Sequence, residues 1–120
     1  MPGKRILLVE DEPEIGDMLA LFLRGEGYAV DVARTLAQGR ARLDAFPYSL
    51  VIADLRLPDG SGLEVVDRAA ELGSKTSILS GYLLQLPPAA AGRHELMMKP
   101  VRPSELIAAV QRSIGPARAA

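Results

Sequence analysis

The apolar positions of this chain fall into two kinds of run. Ile6-Leu7-Leu8-Val9 and Leu50-Val51-Ile52-Ala53 are short and continuous, the pattern of strands covered on both faces of a parallel sheet. Ile15, Met18, Leu19, Phe22 and Leu23 recur instead at helical spacing. They follow Pro13, which suits a first helical turn, and Gly25 and Gly27 supply the stop. Tyr28 to Ala33 alternates loosely and reads as a strand. Thr35 is a candidate N-cap for a weaker helix running to about Phe46, ahead of Pro47. Leu63, Val66, Ala69 and Ala70 mark a short helix closed by Gly73. Ser77-Ile78-Leu79 is the core of a further strand ending at Ser80. Leu96-Met97-Met98 is a short strand, one methionine facing the core, that ends in Lys99-Pro100. Leu106, Ile107, Val110 and Ile114 form a helical stripe stopped by Gly115-Pro116, and Ala117 to Ala120 is expected to fray.

The alternation is damaged in one place. The stretch from Gly81 to Gly92 contains Pro87-Pro88, and a full helix cannot run through two residues that lack an N–H and crowd the preceding turn. The fourth helix is therefore predicted to be short or irregular. Strand and helix otherwise alternate throughout, which implies an α/β domain, residues 1–120, with a parallel sheet and helices on both faces.

Bulk properties narrow the classes. A chain of 120 residues, 48% hydrophobic and 24% charged, supports one ordinary hydrophobic core. The absence of Cys excludes disulfides, thiolate metal sites and Cys nucleophiles. No apolar run approaches the roughly 18 residues that span a bilayer, and no signal-like h-region follows the N-terminus, so a cytoplasmic protein without a membrane partner is expected. A net charge of −1 and no basic cluster interleaved with aromatics argue against direct nucleic-acid binding.

Chemistry in open α/β sheets gathers at the carboxyl ends of strands. The strand ends here deliver Glu10 and Asp11, then Asp54, then Ser80, then Lys99. Two like charges ~4 Å apart cost on the order of 4 kcal/mol at an effective dielectric near 20, so three crowded carboxylates call for a cation. Hard oxygen ligands without His or Cys favour Mg²⁺, which shares its shell with phosphate. Lys99 and the Ser80 hydroxyl would meet further phosphoryl oxygens, and phosphoryl transfer needs mostly alignment and charge neutralisation. Asp54 is thus the candidate phosphoryl acceptor. A strand-end Asp that merely caps its turn is the plainer alternative.

Val9-Glu10-Asp11-Glu12, the run from Asp54 to Leu63, Ser80 after an apolar strand, and Lys99-Pro100 together resemble the receiver domain of a two-component response regulator, over nearly the whole chain and in the family's order. The resemblance implies a flavodoxin-like, doubly wound five-stranded parallel sheet of order 2-1-3-4-5. It implies that Asp54 takes a phosphoryl group from a phosphohistidine on a sensor histidine kinase or phosphotransfer protein. Asp11, Asp54 and the Arg56 backbone carbonyl would hold Mg²⁺, with Glu10 acting mostly through water. Ser80 and Lys99 would bind the acyl phosphate, and Lys99-Pro100 would be cis. Such a bacterial domain catalyses its own phosphorylation and slow dephosphorylation without being a conventional enzyme.

Departures from the family pattern matter too. Leu96 stands where an aromatic is usual, three residues before the Lys. Ser80-Gly81-Tyr82 is similar to single-domain receivers with Thr-Gly-Tyr after strand four, so Tyr82 is the candidate switch aromatic. Arg56 and Tyr82 occupy the positions that in this family flank water attack, which implies a long-lived phosphoryl group.

Other polar residues receive plainer readings. His94, in the polar run Arg93-His94-Glu95, is expected to be an exposed structural residue. Asp59 is expected to shape the turn before Gly60. Glu12 favours the start of the first helix by its charge, and Arg34, Arg40 and Arg42 read as a solvated face. With no effector domain expected after the last helix, the protein would act by altered docking or as a phosphate sink or relay. The competing function is a phosphorylation-independent interaction module that retains the fold. A flavodoxin-like cofactor binder would need a phosphate loop where Glu10-Asp11-Glu12 stands. A phosphohydrolase would place an Asp where Arg56 stands.

Overall fold

A computed structural model of the chain describes residues 4–81 and 92–117. Five parallel strands form one sheet: β1 (Arg5–Val9), β2 (Ala29–Ala33), β3 (Leu50–Asp54), β6 (Lys75–Ser80) and β7 (Glu95–Met98), in the order β2-β1-β3-β6-β7. This is the 2-1-3-4-5 order expected. Four helices are described: α1 (Pro13–Gly25), α2 (Leu36–Ala45), α3 (Gly62–Glu71) and α4 (Pro103–Ile114). A two-stranded ribbon, β4 (Arg56–Leu57) with β5 (Gly60–Ser61), follows β3 directly. The expected irregular fourth helix and Tyr82 fall within residues 82–91, outside the described residues.

The two continuous apolar runs occupy the middle of the sheet because each must be apolar on both sides. Leu7, Val9, Val51, Ala53 and Ile78 pack with residues of α2 and α3. Their alternate neighbours Ile6, Leu8, Leu50, Ile52 and Leu79 pack with residues of α1 and α4. The period-2 alternation of strand side chains thus splits each run between two cores. Thr35 caps α2, accepting from the Gln38 amide at 3.1 Å, and Ser61 caps α3, accepting from the Leu63 amide at 3.2 Å. Pro13 and Pro103 open α1 and α4, where their missing N–H costs nothing.

Three expectations shift. The buried face of α1 is Gly16, Leu19, Ala20 and Leu23, while Met18 and Phe22 remain 39% and 40% exposed. Small residues let the helix approach the sheet closely, and they carry no hydrophobic signal. The same effect turns α3, which buries Gly62, Val65, Val66 and Ala69 and leaves Ala70 exposed. Ala117 is not frayed: it is buried, and its carbonyl accepts from the Lys4 amide at 3.2 Å. Nearby, the Lys4 ammonium and the Tyr28 hydroxyl donate to the carbonyls of Ile114 and Gly115, closing the end of α4. Met97 packs against the core while Met98 faces outward, as the strand period requires.

Gly62 sits where α3 springs from the ribbon. A Cβ there would lie 1.9 Å from the Asp54 carbonyl oxygen and 2.8 Å from the Asp54 carbonyl carbon. Backbone on both sides leaves no flexible partner to yield. Gly62→Ala is expected to lose about 1–3 kcal/mol by overpacking, despite Ala's better helix propensity. Urea unfolding checks this; an unchanged midpoint would show that the junction has slack.

Candidate functional site

The site is assembled by strand register. Val9 lies opposite Ala53 in the β1–β3 pair, so Glu10 and Asp54, one residue further along, emerge side by side. Asp54 in turn is level with Leu79, and Ser80 with Met98. Backbone bonds carry the ladder past the last strand residues: the Glu10 amide donates to the Ala33 carbonyl at 2.9 Å, Leu55 to Leu79 at 2.9 Å, and Lys99 to Ser80 at 3.0 Å. The ladder therefore sets Glu10, Asp54, Ser80 and Lys99 at one rim of the sheet. The Lys99-Pro100 bond is cis, as expected.

Lys99 holds the cluster together. Its ammonium donates to Asp54 Oδ2 at 2.7 Å and to Glu10 Oε1 and Oε2 at 2.9 and 3.2 Å, with Glu12 Oε1 at 3.9 Å. Asp54 Oδ1 accepts from the Arg56 amide at 3.2 Å. Glu10 is fully buried, Asp54 is 7% exposed and Ser80 3%. Burial is the largest influence on Glu10 and raises its pKa to about 7; the bond from Lys99 opposes this and the nearby Asp54 charge reinforces it. Burial disfavours the Lys99 charge as well, but the two carboxylates overcome that and raise its pKa.

Outside this pair the site opens into a cleft of about 220 Å³ whose lining includes Asp11, Asp54, Arg56, Ser80, Gly81 and Lys99. One carboxylate oxygen from each of Glu10, Asp11 and Asp54 lies within 4.8 Å of the others. An all-oxygen, carboxylate-rich donor set of that span fits a hard divalent cation. Beside it, sharing Lys99 as a wall, lies an apolar cleft of about 270 Å³ lined by Ile15, Met18, Leu19, Leu79, Pro100 and Val101.

Two polar residues contradict their local reading. His94 is not exposed: its side chain is 1% accessible. Its Nδ1 lies 2.5 Å from Thr76 Oγ1 and its Nε2 lies 2.7 Å from Asp67 Oδ1. A carboxylate only accepts, so Nε2 carries the proton and, in the neutral ring, the Thr76 hydroxyl donates to Nδ1. Arg93 adds a second hold on Asp67 at 3.1 and 3.2 Å. Register was the signal that could have found this: Ser77 pairs with Glu95, which brings Thr76 level with His94. Asp59 does not close a local Asx turn; its carboxylate accepts from the Leu36 and Ala37 amides of α2 at 2.7 and 3.0 Å. Among the arginines, Arg34 pairs with Asp17 at 2.7 Å and Arg40 with Glu64 at 2.7 Å, so that face is bridged to α1 and α3.

Two outcomes follow. A group whose pKa is raised on folding stabilises the native state fully below its unfolded value and loses that contribution as pH rises through the folded value. Without metal, the stability difference between the native protein and Glu10→Gln should therefore shift against the native protein between about pH 4.5 and 7. Urea midpoints at several pH values read it; a difference independent of pH would refute it. His94→Leu should cost about 1–3 kcal/mol by stranding the Thr76 hydroxyl. Because His94 lies at the amino end of β7, away from the acids, that variant should keep the side-chain NMR resonances of the acid cleft; their loss would contradict the placement.

Known proteins supply a frame for this geometry. Residues 6–111 match the family model of the response regulator receiver domain. The acid tolerance regulatory protein ActR of Rhizobium meliloti (strain 1021) is 30% identical over 114 residues, covering 91% of this chain and 59% of ActR. The chain spans little more than half the length of the curated relatives it first matches. Among solved structures, a receiver domain protein (CheY-like) from Methanospirillum hungatei JF-1 superposes with a TM-score of 0.82 at 30% identity, covering 92% of this chain and 93% of that one. Response regulator TrrA from Thermotoga maritima, solved in complex with Mg(2+)-BeF, gives 0.80 at 32% identity, covering 91% and 97%. Sequence over most of the chain and backbone over nearly all of it agree: this protein belongs to the response regulator receiver domain family.

Proposed function

We propose that the chain is a phosphoacceptor switch of two-component signalling, acting in the cytoplasm: it takes a phosphoryl group from a sensor kinase or phosphotransfer protein onto Asp54, with Mg²⁺. The observation that carries this reading is the Lys99 ammonium lodged between Asp54 and Glu10 at the mouth of the acid cleft. Before any phosphoryl group arrives, the cation stands where the group's charge would need it. An Asp54 oxygen attacks the phosphorus, the P–N bond to the donor imidazole breaks, and its electron pair leaves with the imidazole nitrogen. Lys99 then follows the negative charge as it moves onto the phosphoryl oxygens, and the Ser80 hydroxyl donates to another of them. Bound Mg²⁺ would supply further positive charge; Asp11, Asp54 and the Arg56 carbonyl would hold it, with Glu10 acting through water. The apolar cleft sharing Lys99 gives a protein donor a surface to press on beside the acceptor.

The readout would lie in the neighbouring face. Ser80 and Lys99 are joined by a backbone bond across β6 and β7, so a pull on either reaches the β7 edge. There Met98 is 39% exposed beside an open cleft reaching α4. We assign downstream docking to that face. One observation favours the competing reading, a phosphorylation-independent module: Leu96, in the usual aromatic position, is partly buried against the core, so this residue offers no ring to rotate inward.

Acetyl phosphate with Mg²⁺, followed by intact mass, separates the two. The native chain should gain the mass of one phosphoryl group, and Asp54→Asn should gain none. Lys99→Ala should label at least about tenfold more slowly, the barrier rising by ~1.4 kcal/mol. An unlabelled native chain would favour the module.

A further inference from the structure

The ribbon after Asp54 is anchored from outside. Its two strands pair Arg56 with Ser61 and Leu57 with Gly60, leaving Pro58-Asp59 as the turn. Asp59, at that tip, reaches across to α2 and accepts from its first two amides at 2.7 and 3.0 Å. Those amides are orphan donors that α2 itself cannot satisfy. The tip is also pressed against the helix: a Cβ on Gly60 would come within 2.8 Å of Leu36 Cδ2. From the tip the ribbon runs back to Arg56, whose amide donates to Asp54 Oδ1 at 3.2 Å. An unbroken chain of contacts thus joins the start of α2 to the acceptor carboxylate.

We propose that Asp59 is a positioning residue for the acid cleft: by clamping the ribbon tip to α2 it fixes the Arg56 main chain against Asp54. This rests on the cleft's proposed metal and phosphoryl chemistry, in which the Arg56 carbonyl is a ligand. The plainer role, a cap that only stabilises α2, already has an occupant in Thr35, which takes the Gln38 amide. Asp59 supplies what Thr35 cannot, a link between α2 and the ribbon. Removing it frees the ribbon while α2 keeps its own cap. Its carboxyl pKa is lowered chiefly by the two amide bonds, which agrees with a charged clamp.

Thr35→Ala is the matched control, since it uncaps the same helix without touching the ribbon. Thr35→Ala, Asp59→Asn and Asp59→Ala should each lower the melting temperature. Only the Asp59 variants should weaken Mg²⁺ binding, measured calorimetrically on the unphosphorylated protein, with Kd rising by about tenfold or more. Asp59→Asn, which keeps one acceptor, should fall between the native chain and Asp59→Ala. The Arg56 and Ser61 amides should exchange faster with solvent in the Asp59 variants and not in Thr35→Ala. Equal loss of Mg²⁺ affinity in the Thr35 and Asp59 variants, or none in either, overturns the proposal. A native chain that binds no Mg²⁺ would instead refute the metal reading of the cleft. The exchange arm then decides for Asp59 alone, and unchanged ribbon exchange would overturn its positioning role.

Discussion

Everything at the rim of this sheet depends on one ammonium. Glu10 and Asp54 leave adjacent strands level with each other, one with no solvent contact and the other with almost none. Without a cation between them the strand ends would repel through a medium that screens poorly. Lys99 provides it, bonded to both at 2.7 and 2.9 Å. The arrangement is held rather than relaxed: burial disfavours charge on both Glu10 and Lys99, and the pair stays together because each lessens the other's penalty.

The fold supplies the rigidity this tension requires. β1 and β3 have no exposed edge and are covered on both faces, so their ends cannot drift. Lys99 comes from the edge strand, β7, whose residues are only partly buried, and the edge is where movement costs least. Two acids on fixed stems and a lysine on a softer one make an asymmetric device. The proposed phosphoryl transfer would therefore meet a stiffer acid side than lysine side.

Much of this was legible in the residues. Continuous apolar runs ending in Glu10-Asp11 and Asp54 can be satisfied only by central parallel strands, and the strand ends then bring Ser80 and Lys99 to the same rim. What escaped has two physical causes. Gly16 and Ala20 define the buried face of α1 by being small, so Met18 and Phe22 were drawn inward by hydrophobicity alone. The partners of His94 and Asp59 lie 18 or more residues away, and a polar side chain looks solvated until register supplies its partner. The β4–β5 ribbon, two residues a side, is too short for any period to announce.

Those escaped residues share a trait that bears on signalling. Asp59 joins α2 to the ribbon, Arg40 and Glu64 join α2 to α3, and Asp67 joins α3 through His94 and Thr76 to the start of β7. Together they form a polar belt on the α2–α3 side, bracing the ribbon at one end of α3 and β7 at the other. Among the described residues, no comparable polar link joins α3 to the carboxyl end of β7, which Lys99 follows. β7 is tied by side chains at its beginning, while beyond its end Lys99 holds Ser80 by a backbone bond and Glu10 and Asp54 by its ammonium. A local adjustment at a strand end costs far less than shifting a packed core, which has few continuous intermediates. The belt therefore fixes the amino end of β7 and leaves the bonds of Lys99 as the polar hold beyond its other end.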